Sequence, residues 1–134
     1  MNLVRTLPVG LALLALVACF PMTTAEAHAQ YCKNLNELHS AVTTLTKTDA
    51  TTSVGQLKDA QKQVQQEMAD VQKSAQAVQT AKVDDVQKAY TDLDRAISGL
   101  PNDMAIGPAV TTLQPEVRAL ESAWSRATTD ARCM

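Results

Sequence analysis

Histidine and cysteine are the residues of this sequence best suited to chemistry, and their spacing limits what each can do. His39 has Glu37 and Ser40 beside it. On a helix, neighbours at i and i+2 face apart, so these three do not make a nucleophile, base and acid on one face. A Ser-His-acid triad would need partners converging from elsewhere in the chain. A carboxylate-bridged di-metal bundle uses Glu-x-x-His pairs on inward faces, whereas Glu37-Leu38-His39 has the wrong spacing. Haem attachment through Cys-x-x-Cys-His has no match, and Gly55, Gly99 and Gly107 do not form a phosphate-cradling loop. Met68, Met104 and Met134 do not read as a metal-carrying set, and Met68 belongs to an apolar stripe. The expectation is therefore a non-enzymatic chain with no catalytic, cofactor-binding or metal-ligating residues, and with His39 on a helix surface.

The cysteines say more. Cys19, Cys32 and Cys133 are an odd set, which leaves one unpaired unless Cys19 is removed or consumed. The N-terminus supplies both routes. Arg5 gives a positive start, Leu7–Phe20 is almost continuously apolar, Pro21 ends the run, and Ala25-Glu26-Ala27 and Ala27-His28-Ala29 follow. A charged start, a short apolar core and a small-residue A-x-A site define a secretory signal. The apolar run falls short of the ~20 residues a membrane-spanning helix needs. Residues 1–29 are read as a signal peptide and 30–134 as a single domain. A competing site is Leu16-Val17-Ala18-Cys19, which resembles the bacterial lipobox. That resemblance implies lipidation of Cys19 and a mature chain beginning there. Either route leaves Cys32 and Cys133, near the two ends of the mature chain. In an exported protein such a pair reads as a disulfide. The alternatives are two free thiols or a metal pair, for which no third or fourth ligand is read nearby.

Composition narrows the fold. Twelve Lys and Arg against fourteen Asp and Glu give a net charge of -2, without the basic excess of nucleic-acid binders. Aromatic residues are 3% of the chain, which disfavours an all-β fold. Hydrophobic residues reach 46%, which disfavours a disordered one.

Periodicity names the elements that would carry these residues. Leu35, Leu38, Val42 and Leu45 recur at steps of three and four. So do Val54, Leu57, Gln61, Val64, Met68, Val71, Ala75 and Val78. A third set is Val83, Val86, Tyr90, Leu93, Ile97 and Leu100; a fourth is Val110, Leu113, Val117, Leu120, Trp124 and Ala127. Each set puts one apolar stripe along a helix. Ala60, Ala69, Ala89, Ala96, Ala119 and Ala123 flank the stripes, and Trp124 is expected in the core. Ser53 and Gln56 fit a capping box, and Asp84 with Gln87 reads as the cap of helix three. Gly99 and Pro101 end that helix; Pro108 suits the first turn of helix four; Pro115 should kink helix four or delay its start.

The stripe shifts by one residue between Val78 and Val83, so the chain either turns near Thr80–Asp84 or carries an irregularity in one long helix. A Cys32–Cys133 bridge favours the turn, because only an even number of antiparallel helices brings both termini to one end. The expected fold is all-α, an antiparallel up-down four-helix bundle. The alternative is a long bent helical hairpin with two shorter helices packed on it.

This organisation resembles small uncharacterised exported helical proteins of bacteria, secreted or lipoprotein-type, with a terminal cysteine pair. The resemblance implies no active site. It leads to an extracytoplasmic bundle that binds an unidentified protein partner or associates with the envelope, by a helix face or by loops at Thr46–Thr52 or Pro101–Pro108. A lipid-anchored spacer held through Cys19 is the second reading, and Cys19 is the only expected route to a membrane. A closed core points to a monomer.

Overall fold

The computed structural model describes residues 23–47 and 52–133. They form four helices, α1 (Thr24–Thr46), α2 (Val54–Ala75), α3 (Asp84–Ser98) and α4 (Ile106–Asp130). No strand occurs among the described residues. α1 packs chiefly on α2 and α3 on α4, and the two hairpins close into a four-helix bundle through α1 with α4 and α2 with α3. Cys19 and residues 48–51, within the expected Thr46–Thr52 loop, lie outside the described residues.

The helix starts follow from local chemistry. The first N–H groups of a helix have no partner within it, so a side chain must supply one. At α1, Glu26 N–H donates to Thr23 Oγ1 (3.1 Å) and Thr23 N–H donates to Glu26 Oε2 (3.0 Å). At α2 the expected box forms: Gln56 N–H to Ser53 Oγ (3.1 Å) and Ser53 N–H to Gln56 Oε1 (2.9 Å). Asp84 is not the cap of α3. Val83 holds that position without a side-chain bond, while Asp84 and Asp85 occupy the first turn. There their negative charge meets the positive end of the helix dipole. α3 stops at Gly99, as expected.

Pro108 falls in the first turn of α4, where its missing N–H is one the helix does not use. Pro115 neither ends nor delays α4, which runs unbroken from Ile106 to Asp130. Thr111 and Pro115 are both exposed. The Thr111 carbonyl, which loses its helical donor to the proline, is therefore open to water.

The expected stripes build the core. Leu35, Leu38, Val42 and Leu45 of α1 meet Val54, Leu57, Val64, Met68 and Val71 of α2. Val86, Leu93 and Ile97 of α3 and Leu113, Val117 and Leu120 of α4 complete it. Each such side chain contributes roughly 1.5–3 kcal/mol when fully buried. The stripe shift is explained by the end of α2 at Ala75: residues 76–83 form a connection, with Val78 and Val83 half-buried. Ala69 and Ala119 are exposed rather than packed, and Val110 is half-buried beside a buried Ala109.

α1 also reaches further back than the stripe from Leu35 indicated. Ala27 and Tyr31 continue its buried face at steps of four. Thr24–Ala29, read above as the tail of a signal peptide, is the first part of this helix.

Candidate functional site

The end of the bundle where α1 begins and α4 stops gathers the reactive side chains. Its geometry is set by how α4 ends. Arg132 takes a left-handed backbone conformation (φ 54°). Cys133 N–H then donates to the Thr128 carbonyl (2.8 Å) and Arg132 N–H to the Thr129 carbonyl (3.1 Å). This pair of bonds is the Schellman motif, normally built with glycine at the left-handed position. It folds the chain back and delivers Cys133 to α1. Cys32 and Cys133 are joined as a disulfide, with Cα atoms 5.4 Å apart across a sequence separation of 101. The expected pairing is thus present, and it fastens the chain just beyond α4 to the third turn of α1.

His28 lies one turn before Cys32 on the same face of α1. Its Nε2 is 3.8 Å and its Nδ1 4.0 Å from Cys32 Sγ. Nε2 also hydrogen bonds the Ala131 carbonyl, which can only accept, so Nε2 carries a proton, and in the neutral tautomer that fits this bond Nδ1 is the lone-pair nitrogen. One ligand atom from each of His28, Cys32 and Cys133 falls within 4.8 Å of the others. All three residues are half-buried, and His28 and Cys32 border a surface groove with Lys33, Asn36, Glu37, Ser40 and Arg132. The sequence reading assigned His28 to a discarded segment and found no third ligand beside the cysteine pair. The signal that would have found it is the spacing His28-x-x-x-Cys32 on a helix capped by Thr23-x-x-Glu26.

Behind the disulfide, Tyr31 is completely buried and its hydroxyl has no hydrogen-bond partner. Burial pushes its phenol pKa above the ordinary value, and the carboxylate of Asp130 adds to the rise.

Two buried polar side chains tie helices together. Asn34 donates to the Asp70 carbonyl (3.0 Å) and to Ser74 Oγ (2.9 Å), and accepts from Gln30 (2.9 Å). Gln61, in the stripe of α2, donates to Asp94 Oδ1 (2.6 Å), the Asp94 carbonyl (3.2 Å) and Ser98 Oγ (3.2 Å). Each fixes the register of one helix pair, Asn34 for α1 on α2 and Gln61 for α2 on α3. Gln61 was legible as a polar residue in the stripe; Asn34 sits one step before Leu35 and gave no such signal.

His39 is half-buried rather than on an open surface. Its ring stacks on Trp124 (centroids 4.1 Å, 13° between planes). Trp124 is itself half-buried, and its Nε1–H donates to the Leu35 carbonyl (2.7 Å). The pair seals the seam between α1 and α4. Glu37 and Ser40 instead border the groove at the disulfide end.

The remaining sequence-selected surfaces are exposed. Gln63, Gln65, Gln66, Gln72, Gln76 and Gln79 all face solvent on α2 and the segment after it. Asn102, in the turn before α4, accepts from Lys58 (2.8 Å). No helix among the described residues is long and apolar enough to cross a membrane. Comparison with family models, with curated proteins and with solved structures finds no match to this chain.

Proposed function

We propose that this protein is an exported, non-enzymatic helical bundle that binds another protein of the cell envelope or its surroundings. The disulfide carries the extracytoplasmic part of the reading. Such bonds persist in oxidising compartments, and this one closes the whole bundle. The glutamine face of α2 supports the binding part. Its glutamines stand exposed beside Asp59, Lys62, Asp70 and Lys73, so they offer a partner amide donors and acceptors framed by charges of both signs. The test is photo-crosslinking in the host from Gln66 and Gln72. A discrete adduct with one protein is expected; the same diffuse pattern as from a position on another helix would contradict the reading.

A second reading, a spacer anchored by lipid at Cys19, is favoured by one observation. Thr23–Ala29 supply the capping box, the buried Ala27 and the His28 contact to Ala131. Cleavage after Ala29 would discard all three, whereas processing at Cys19 keeps them. Membrane fractionation separates the readings. A protein that stays with membranes, and leaves them when Cys19 is replaced by alanine, is anchored; one recovered free of membranes is released.

A further inference from the structure

We propose that reduction of the Cys32–Cys133 disulfide converts this end of the bundle into a binding site for a thiophilic divalent cation. Zn2+ is the fitting example, held by Cys32 Sγ, Cys133 Sγ and His28 Nδ1. The proposal goes beyond the partner-binding reading and does not depend on it; it requires only that the mature chain keep His28.

The donor set comes first. Two thiolates and an imidazole are established zinc ligands, and three protein ligands leave a fourth position for water or another group. Zinc bonds of about 2.3 Å to sulfur and 2.05 Å to nitrogen, at a tetrahedral angle, place nitrogen and sulfur about 3.6 Å apart. His28 Nδ1 already stands 4.0 Å from Cys32 Sγ. The two sulfurs must separate from bonding contact to about 3.8 Å by the same geometry. Rotation of the half-buried Cys133 side chain about its Cα–Cβ bond can supply that separation while its N–H stays bonded to the Thr128 carbonyl.

The surroundings favour a cation. Metal-bound histidines usually donate their other ring N–H to a carbonyl or carboxylate, which fixes the ring and its tautomer. His28 Nε2–H does so here, to the Ala131 carbonyl. The site also sits at the C-terminus of α4, the partially negative end of the helix dipole.

The chemistry balances with a dithiol as reductant. Two electrons and two protons pass from the dithiol to the disulfide, leaving Cys32 and Cys133 as thiols and the reductant as its own disulfide. Metal binding then displaces the two thiol protons to solvent. While the disulfide is intact the sulfurs are not available as thiolates, so oxidation state and metal affinity are coupled.

The test uses the full chain with Cys19→Ser, so that only the pair carries thiols. The chain is folded oxidised, then reduced and titrated with Co2+ as a spectroscopic probe and with Zn2+ in competition. The expected result is one Co2+ per chain, with thiolate-to-cobalt charge-transfer and tetrahedral d–d bands, and displacement by Zn2+. The oxidised chain should show no such bands. His28→Ala should weaken Zn2+ binding at least tenfold and change the d–d envelope, and Cys32→Ser with Cys133→Ser should abolish the bands. Circular dichroism follows folding at each step. If reduction unfolds the chain, Zn2+ should restore helicity to the parent and not to the His28→Ala protein. Binding no tighter than in the double serine variant overturns the proposal. So does an unchanged affinity and spectrum after His28→Ala, or a reduced, unfolded chain that Zn2+ does not refold.

Discussion

Tyr31 carries one of three buried side-chain polar atoms that lack a hydrogen bond among the described residues, with Gln87 Oε1 and Glu116 Oε2. Its ring is fully buried, but its hydroxyl makes no hydrogen bond. Leaving such a group unpaired costs about 1–3 kcal/mol, so Tyr31→Phe should be neutral or stabilising near neutral pH. Burial, then Asp130, raise the folded-state phenol pKa above that of the unfolded chain. The favourable contribution is therefore complete below the unfolded value, about 10, and is lost as pH rises above it. Urea unfolding across alkaline pH should show a fall in stability that Tyr31→Phe reduces. Arg132 is a second local cost. A side chain in the left-handed region is disfavoured by ~1–2 kcal/mol, while glycine gives back roughly 0.5–1 in unfolded-state freedom. Arg132→Gly should raise stability by about 0.5–1 kcal/mol in the same assay, with the disulfide intact.

At the scale of elements, the helices were legible because their residues recur at steps of three and four, and that pattern survives in the folded core. Their boundaries were less so. α3 begins with no side-chain cap, since two acidic residues in its first turn suit the helix dipole instead. α1 was cut short because Ala25–Ala29 also fits a cleavage site, and a single sequence does not say which use a segment serves. The Thr23–Glu26 box and the Ala27–Tyr31 step were present all the same. Pro115 was read as a kink or a delayed start because a mid-helix proline loses one hydrogen bond and crowds the preceding turn. The helix tolerates it where the freed carbonyl faces water. That tolerance leaves a measurable deficit: Pro115→Ala should raise stability by about 1–3 kcal/mol, read as a higher urea midpoint with an unchanged slope.

Across the whole molecule, the four-helix arrangement and the disulfide support one another. An even number of antiparallel helices brings the two cysteines to one end, and the Schellman turn after α4 completes the approach. In the chain-entropy picture, closing a loop of this length stabilises the fold by about 4–5 kcal/mol. Reduction should lower the unfolding free energy by an amount of that order, measured on the Cys19→Ser chain in matched buffers without added metal. The cysteine pair was readable from its position near both ends of the chain. The histidine beside it was passed over because Ala25–Ala29 also fits a cleavage site, although its spacing to Cys32 was in the sequence; its contact with the Ala131 carbonyl, more than a hundred residues away, comes only with folding.

The most direct measurement is the intact mass of the protein taken from its native host, with and without reductant. The expected result is a mature chain that begins upstream of Thr23, keeps the capping box and His28, and gains two hydrogens on reduction. A chain beginning at Gln30, or one whose mass does not change on reduction, would contradict a bundle built from Thr24 onward and closed at its ends by Cys32 and Cys133.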